Sequence, residues 1–261
     1  MPSTKPPAIP EAIPPAPEIW RSGFRFVLPV LLKPVRGLKE ITARDRAFWL
    51  VPLLVISLAA LLSILVAGSL RGQQSQDGTS LPPDFQYYTP EQQQQFTQAQ
   101  QAGASPIFSY VFPAVTLLAG IWISWALLGG MLHLGLTLAG SRSSSIKALN
   151  LAGWVSLPFA VRYLVQAGYI LFTRSLISAQ GLSGFSPPGS FLGAILTQVD
   201  IYLVWQVFLL LVGVPLMAGV TRRKAWLVTA VVLVILLCLA AVPTFAASKL
   251  GGVGPVQPFF F

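Results

Sequence analysis

The sequence predicts an all-α integral membrane protein: a five-transmembrane-helix bundle with a cytoplasmic N-terminus and its C-terminus outside. Three observations carry that prediction. Hydrophobic residues make up 54% of the 261 and charged residues only 10%, a balance typical of membrane proteins rather than soluble cores. Several stretches reach about 20 residues without a charge, enough at ~1.5 Å per helical residue to cross a ~30 Å hydrocarbon layer. Finally, with the N-terminus inside, the cytoplasmic side carries 13 Lys and Arg and the outer side three, as positive-inside orientation requires.

Residues 1–18 are proline-rich and predict a disordered or polyproline tail, with no signal-peptide apolar stretch. Residues 19–47 read as an amphipathic segment. The run over 19–32 is rich in Phe and Trp but is broken by Arg21, Arg25 and Pro29, too short and charged to span. Pro34 suits a helix N1 position, with Val35, Leu38 and Ile41 on one face and Arg36, Lys39 and Glu40 elsewhere. Such a helix is expected in the interface with its cations near phosphates; the alternative is a linker helix packed on protein.

The membrane domain covers 48–248. Its first span is 48–67, uncharged and ended by Gly68-Ser69. A polar loop over 69–106 follows, with eleven glutamines. In it Thr89-Pro90-Glu91-Gln92 reads as N-cap, N1 proline and capping-box glutamine, opening a helix that stops near Gly103. Phe96 and Ala99 give that helix a thin apolar stripe. The second span, 107–139, has 33 residues without Lys, Arg, Asp or Glu, so it must tilt, protrude or begin after Pro113. Small residues recur four apart in it: Gly120 and Ser124, Ala126 and Gly130, Gly135 and Ala139. Such spacing lets helix backbones approach closely.

A turn bearing Arg142 and Lys147 leads to the third span, 148–172. Ala148, Ala152, Ser156 and Ala160 form its unbroken small face, and Pro158 predicts a kink by releasing the carbonyl of Trp154. A loop with Gly and Pro precedes the fourth span, 191–220, and Thr221-Arg222-Arg223-Lys224 turns the chain into the fifth, 225–247. Residues 249–261 are a short tail ending in three phenylalanines. Arg36, Lys39, Arg222, Arg223 and Lys224 are the expected contacts to anionic lipid, which the net charge of +9 also favours. Nucleic acid is not expected, because the cations do not interleave with aromatics on a soluble module.

The residues for most chemistry are missing. His133 is the one histidine and Cys238 the one cysteine, so this chain holds no HExxH motif, catalytic triad, multi-His metal site or disulfide. Asp200 is the one intramembrane acid, which removes a paired-aspartate protease, and no phosphate-binding GxxxxGK[ST] loop occurs. No cofactor and no catalytic residue are expected. The polar candidates within the membrane are Arg162, Asp200 and His133, because charge there is costly and marks function or pairing. Arg162 and Asp200 either pair directly, or Arg162 bonds carbonyls freed near Pro158 while Asp200 stays at the outer boundary. Leaning of side chains toward each helix N-terminus opposes the pairing. His133 is expected to form a neutral interhelical hydrogen bond or to face the cytoplasmic interface.

Several short patterns occur in a telling order. They are Lys33-Pro34 before a span, Thr89-Pro90-Glu91-Gln92, Leu132-His133-Leu134 leading to Ala139-Gly140-Ser141, Lys147-Ala148-Leu149 and Ser156-Leu157-Pro158. Trp205, Leu209 to Gly213 and Thr221-Arg222-Arg223-Lys224-Ala225 complete the series. Over residues 34–247 the chain resembles the Yip (Ypt/Rab-interacting protein) membrane domain, in its bacterial branch. The resemblance implies a five-helix domain without known catalysis. Its eukaryotic relatives work in Golgi and endoplasmic-reticulum trafficking with Rab-type GTPases, and some bacterial relatives accompany ABC-type exporters. The expected function is therefore a non-enzymatic scaffold or accessory partner of a membrane complex in the bacterial inner membrane, or in an endomembrane if the source is eukaryotic. A small-solute transporter or channel subunit and a lipid-interacting, bilayer-shaping protein are the alternatives.

Overall fold

Proline decides where many helices of this chain begin. It stands at the first or second helical position, where an amide proton is not needed, in four of them. The computed structural model describes residues 23–44, 46–76, 85–177, 181–187 and 189–250, and all regular structure there is helical. In chain order the helices are α1 (Val27–Leu32), α2 (Pro34–Thr42), α3 (Leu50–Gln76), α4 (Pro90–Ala104) and α5 (Phe112–Leu138). Then follow α6 (Ser145–Val155), α7 (Pro158–Thr173), α8 (Phe191–Leu196), α9 (Ile201–Ala218) and α10 (Arg222–Leu250). Five segments are long and apolar enough to cross a membrane: Leu50–Gly72, Ile107–Leu138, Ser145–Thr173, Ile201–Ala218 and Arg222–Lys249. The leader over 1–18, Ala99 as a side chain, and the tail from 251 onward lie outside the described residues.

Four spans differ from the form their composition suggests. The first does not stop at Gly68: its helix runs on to Gln76, and the Tyr110 ring lies where a side chain at Gly68 would stand. The second absorbs its excess length in a π-helical turn, Ile107–Val111, ahead of α5. The fourth is not one helix over 191–220. Asp200 breaks it, in extended backbone at φ −140° and ψ 180°, because its carboxylate takes the free amides that open α9. The third breaks at Ser156–Leu157 and restarts with Pro158 as the first residue of α7. There Leu157 N–H donates to Trp154 O at a long 3.4 Å.

The first, third and fourth spans form the interior, while only 17% and 22% of the second and fifth apolar windows are buried. The main core joins Phe26, Val30, Leu38 and Ile41 of the N-terminal segment to α5, α6, α9 and the start of α10. Of the two alternatives for α2, its apolar stripe takes the one packed on protein. Leu38 and Ile41 are both 0% exposed, so the apolar stripe faces the bundle rather than lipid, while Val35 and the cations point outward. The reason is a gap on α9: Gly213 lacks a side chain where Leu38 and Leu151 converge. At the same end the central turn meets the last hairpin, where Ser141 Oγ donates to the carbonyl of Ala218. The N-terminal segment and both turns thus gather their cations at one end of the bundle.

The polar-loop helix starts as its sequence dictates. Thr89 N–H donates to Gln92 Oε1 at 3.0 Å and Gln92 N–H donates back to Thr89 Oγ1 at 3.3 Å. Phe96 packs on Phe85 at 5.4 Å between ring centroids, and the helix rests on the far end of α3.

Candidate functional site

Arg162, on α7, is 3% exposed. Left unpaired at such a depth, a guanidinium costs ~2.5–3.5 kcal/mol or more. Its Nε meets Asp200 Oδ2 at 3.1 Å. The other carboxylate oxygen, Oδ1, accepts from the amides of Tyr202 at 3.0 Å and Leu203 at 2.9 Å, and so caps α9. One acid therefore ties the third span to the fourth and opens the fourth helix. The break at residues 197–200 makes this possible, because Asp200 stands at a helix start and not on a helix wall.

Next to the pair the small face of the third span carries a second polar link. Ser156 Oγ donates to Ala152 O at 2.8 Å and accepts from Gln206 Nε2 of α9 at 3.1 Å. Ala148, Ala152, Ser156 and Ala160 are all buried. Beside these groups lies a cavity of about 420 Å³, bounded by all five spans, the first through Leu53 and Ile56. Its walls are leucine, isoleucine and aromatic side chains, and Arg162, Ser156, Gln206 and Gln198 bring polar atoms to it.

Other candidates separate from this site. His133 does not line the cavity, and its buried Nδ1 has no hydrogen-bond partner among the described residues, so the expected interhelical bond is not formed there. Gly120 and Ser124 line the cavity. Ala126 and Gly130 are exposed, and a Cβ at Gly130 would meet nothing within 4 Å among the described residues. Gly135 does serve close packing, against Val228 of α10, while Ala139 is half-buried. Arg222, Arg223, Lys224 and Lys39 are exposed, and Arg36 pairs at 3.6 Å with Glu40 on the same helix face, both largely exposed.

Sequence reasoning missed a second constellation at the cationic end. Asn150, 0% exposed, accepts Phe48 N–H at 2.7 Å and donates to Arg46 O at 2.8 Å, while Trp154 Nε1 donates to Phe48 O at 3.0 Å. The Phe48 ring stacks on Trp154 at 5.3 Å, and Phe26 meets both edge-on. Arg44 covers this cluster, with its guanidinium 4.5 Å from the Phe48 centroid and 4.9 Å from that of Phe26. Burial, and after it the nearby Arg25 charge, lower the Arg44 pKa, against the opposing pull of Glu40. The visible signal was an amide and an indole spaced four apart inside an apolar run, and it names neither partner.

Among the described residues no three His, Cys, Asp or Glu side chains gather as metal ligands would. The fold and the site define a polytopic α-helical membrane protein whose deepest charges neutralise each other. Residues 28–242 match the family model of the Yip1 domain, and the chain belongs to that family. Comparison with curated proteins and with solved structures finds no match.

Proposed function

We propose that this chain is a non-enzymatic membrane protein that acts by association, as a scaffold or accessory partner of another membrane complex. The observation that carries the reading is the placement of the second span. It lies at the edge of the bundle and turns Ala126 and Gly130 outward, leaving a face where a second helix backbone can come close. The internal charges support the same reading. Arg162 and Asp200 are occupied with each other and with a helix cap, so neither stands free for proton relay or ion coupling. The exposed cations at one end favour that end as cytoplasmic, against anionic lipid of a bacterial inner membrane.

The test is extraction in a mild detergent followed by a native mass measurement. A discrete species heavier than the single chain with its detergent belt supports association. Recovery of monomer alone, under conditions that keep other membrane complexes intact, would reject it.

A further inference from the structure

The cavity beside the ion pair opens sideways. Its rim includes Ile123 and Leu127 on α5 and Leu239 and Val242 on α10, which are 58%, 37%, 49% and 51% exposed on the bundle's apolar flank. Whatever enters there comes from the hydrocarbon and not from water. At about 420 Å³ the space falls within the ~300–1,000 Å³ usual for small-ligand sites.

Its polar side restricts the ligand further. The Arg162 charge is already matched by Asp200, and the Gln206 amide is already bonded to Ser156. Gln198 lines the same cavity, and its buried Nε2 has no acceptor among the described residues. The site therefore offers a net-neutral floor with a spare amide donor. An anionic head would add an unmatched negative charge beside an arginine that Asp200 already balances, and a cationic head would meet the Arg162 guanidinium. An uncharged acceptor oxygen fits both constraints.

We propose that this cavity binds a neutral single-chain lipid, its hydrocarbon tail between the second and fifth spans and a hydroxyl or ester oxygen at Gln198. This does not depend on the association reading, since a monomer would hold the same cavity.

The experiment uses the full chain in nanodiscs and a long-chain monoacylglycerol carrying a photoreactive group on its tail. Labelled peptides are mapped by mass spectrometry, with excess unreactive monoacylglycerol as competitor. We expect saturable labelling centred on the cavity faces of α5 and α10, and suppression by the competitor. Ser124→Phe and Ala240→Phe, which fill the cavity from opposite walls, should each cut labelling at least about fivefold while the proteins elute as the wild type does. Gln198→Leu should weaken labelling by the monoacylglycerol about three- to tenfold and leave a photoreactive alkane unaffected. Labelling spread evenly around the apolar belt, or insensitive to both filling variants, would mean only bulk lipid contact and overturn the proposal. Equal labelling by an ionised fatty-acid probe would overturn the neutral-head assignment.

Discussion

Asp200 serves Arg162 and its own helix at once: Oδ2 meets the guanidinium at 3.1 Å while Oδ1 holds two amides of α9. The two roles can be separated by substitution. Exchanging the charges, with Arg162→Asp and Asp200→Arg, would place a cation at the positive end of a helix and lose the cap, so it should not restore stability. Asp200→Asn is the cleaner variant, because asparagine caps as well as aspartate but leaves Arg162 without a counter-charge. It should cost about 3–5 kcal/mol in thermal or denaturant unfolding in detergent micelles. Adding Arg162→Met should recover most of that loss. Costs that simply add in the double variant would mean that the two side chains are not coupled.

Asn150 holds the entry to the first span through two backbone groups far away in sequence. Asn150→Leu keeps the volume but strands the Phe48 amide, and should cost about 2–3 kcal/mol. Hydrogen exchange over residues 46–52 would report it, with protection at Phe48 lost first. Unchanged protection there would show that water or another group replaces the amide.

Arg44 lies across two aromatic rings, so Arg44→Gln should loosen the N-terminal segment by about 1 kcal/mol. Proteolysis between α2 and α3 is the readout, and cleavage should quicken several-fold. The charge itself should persist through physiological pH, because a guanidinium is not deprotonated in proteins. Cleavage of the native chain should therefore not vary between pH 6 and 9, beyond the protease's own dependence.

Glycines on the two sides of the bundle should answer differently to alanine. A methyl group at Gly213 would stand 2.5 Å from Leu151 Cδ1 and 3.3 Å from Leu38 Cδ1, so Gly213→Ala should destabilise by about 1–3 kcal/mol as those leucines shift. Gly130→Ala meets nothing within 4 Å and gains helix propensity, so the isolated chain should be unchanged or up to about 1 kcal/mol more stable. Thermal unfolding of both variants side by side checks the contrast.

The spans were readable from sequence because unbroken apolar runs have one physical solution in hydrocarbon, a helix that satisfies its own backbone. The capping box at Thr89 and a disturbance at Pro158, expected as a kink and found as a break and helix restart, were readable because their causes are local. The Arg162–Asp200 pair was identified only as one of two alternatives. Reasoning from side-chain lean treated 191–220 as a continuous helix, and the break that turns Asp200 into a cap removes that premise. Asn150 was missed because its partners are backbone groups about a hundred residues away, which no local pattern encodes. The burial of Leu38 and Ile41 was one of two alternatives for a similar reason: an amphipathic helix has the same periodicity whether its apolar face meets lipid or protein.

Association at the outward face of the second span is most directly tested by cysteine crosslinking in native membranes. Cys238 is the chain's one cysteine, so Cys238→Ser clears the background. Single cysteines are then placed at Ala126, Gly130 and Leu134 on the outward side and at Leu132 and Leu136 on the buried side. The account predicts a discrete crosslinked species of fixed mass at Ala126 and Gly130, and none at Leu132 or Leu136. Monomer alone at Ala126 and Gly130, with the protein folded and the reagent shown to reach both positions, would contradict it.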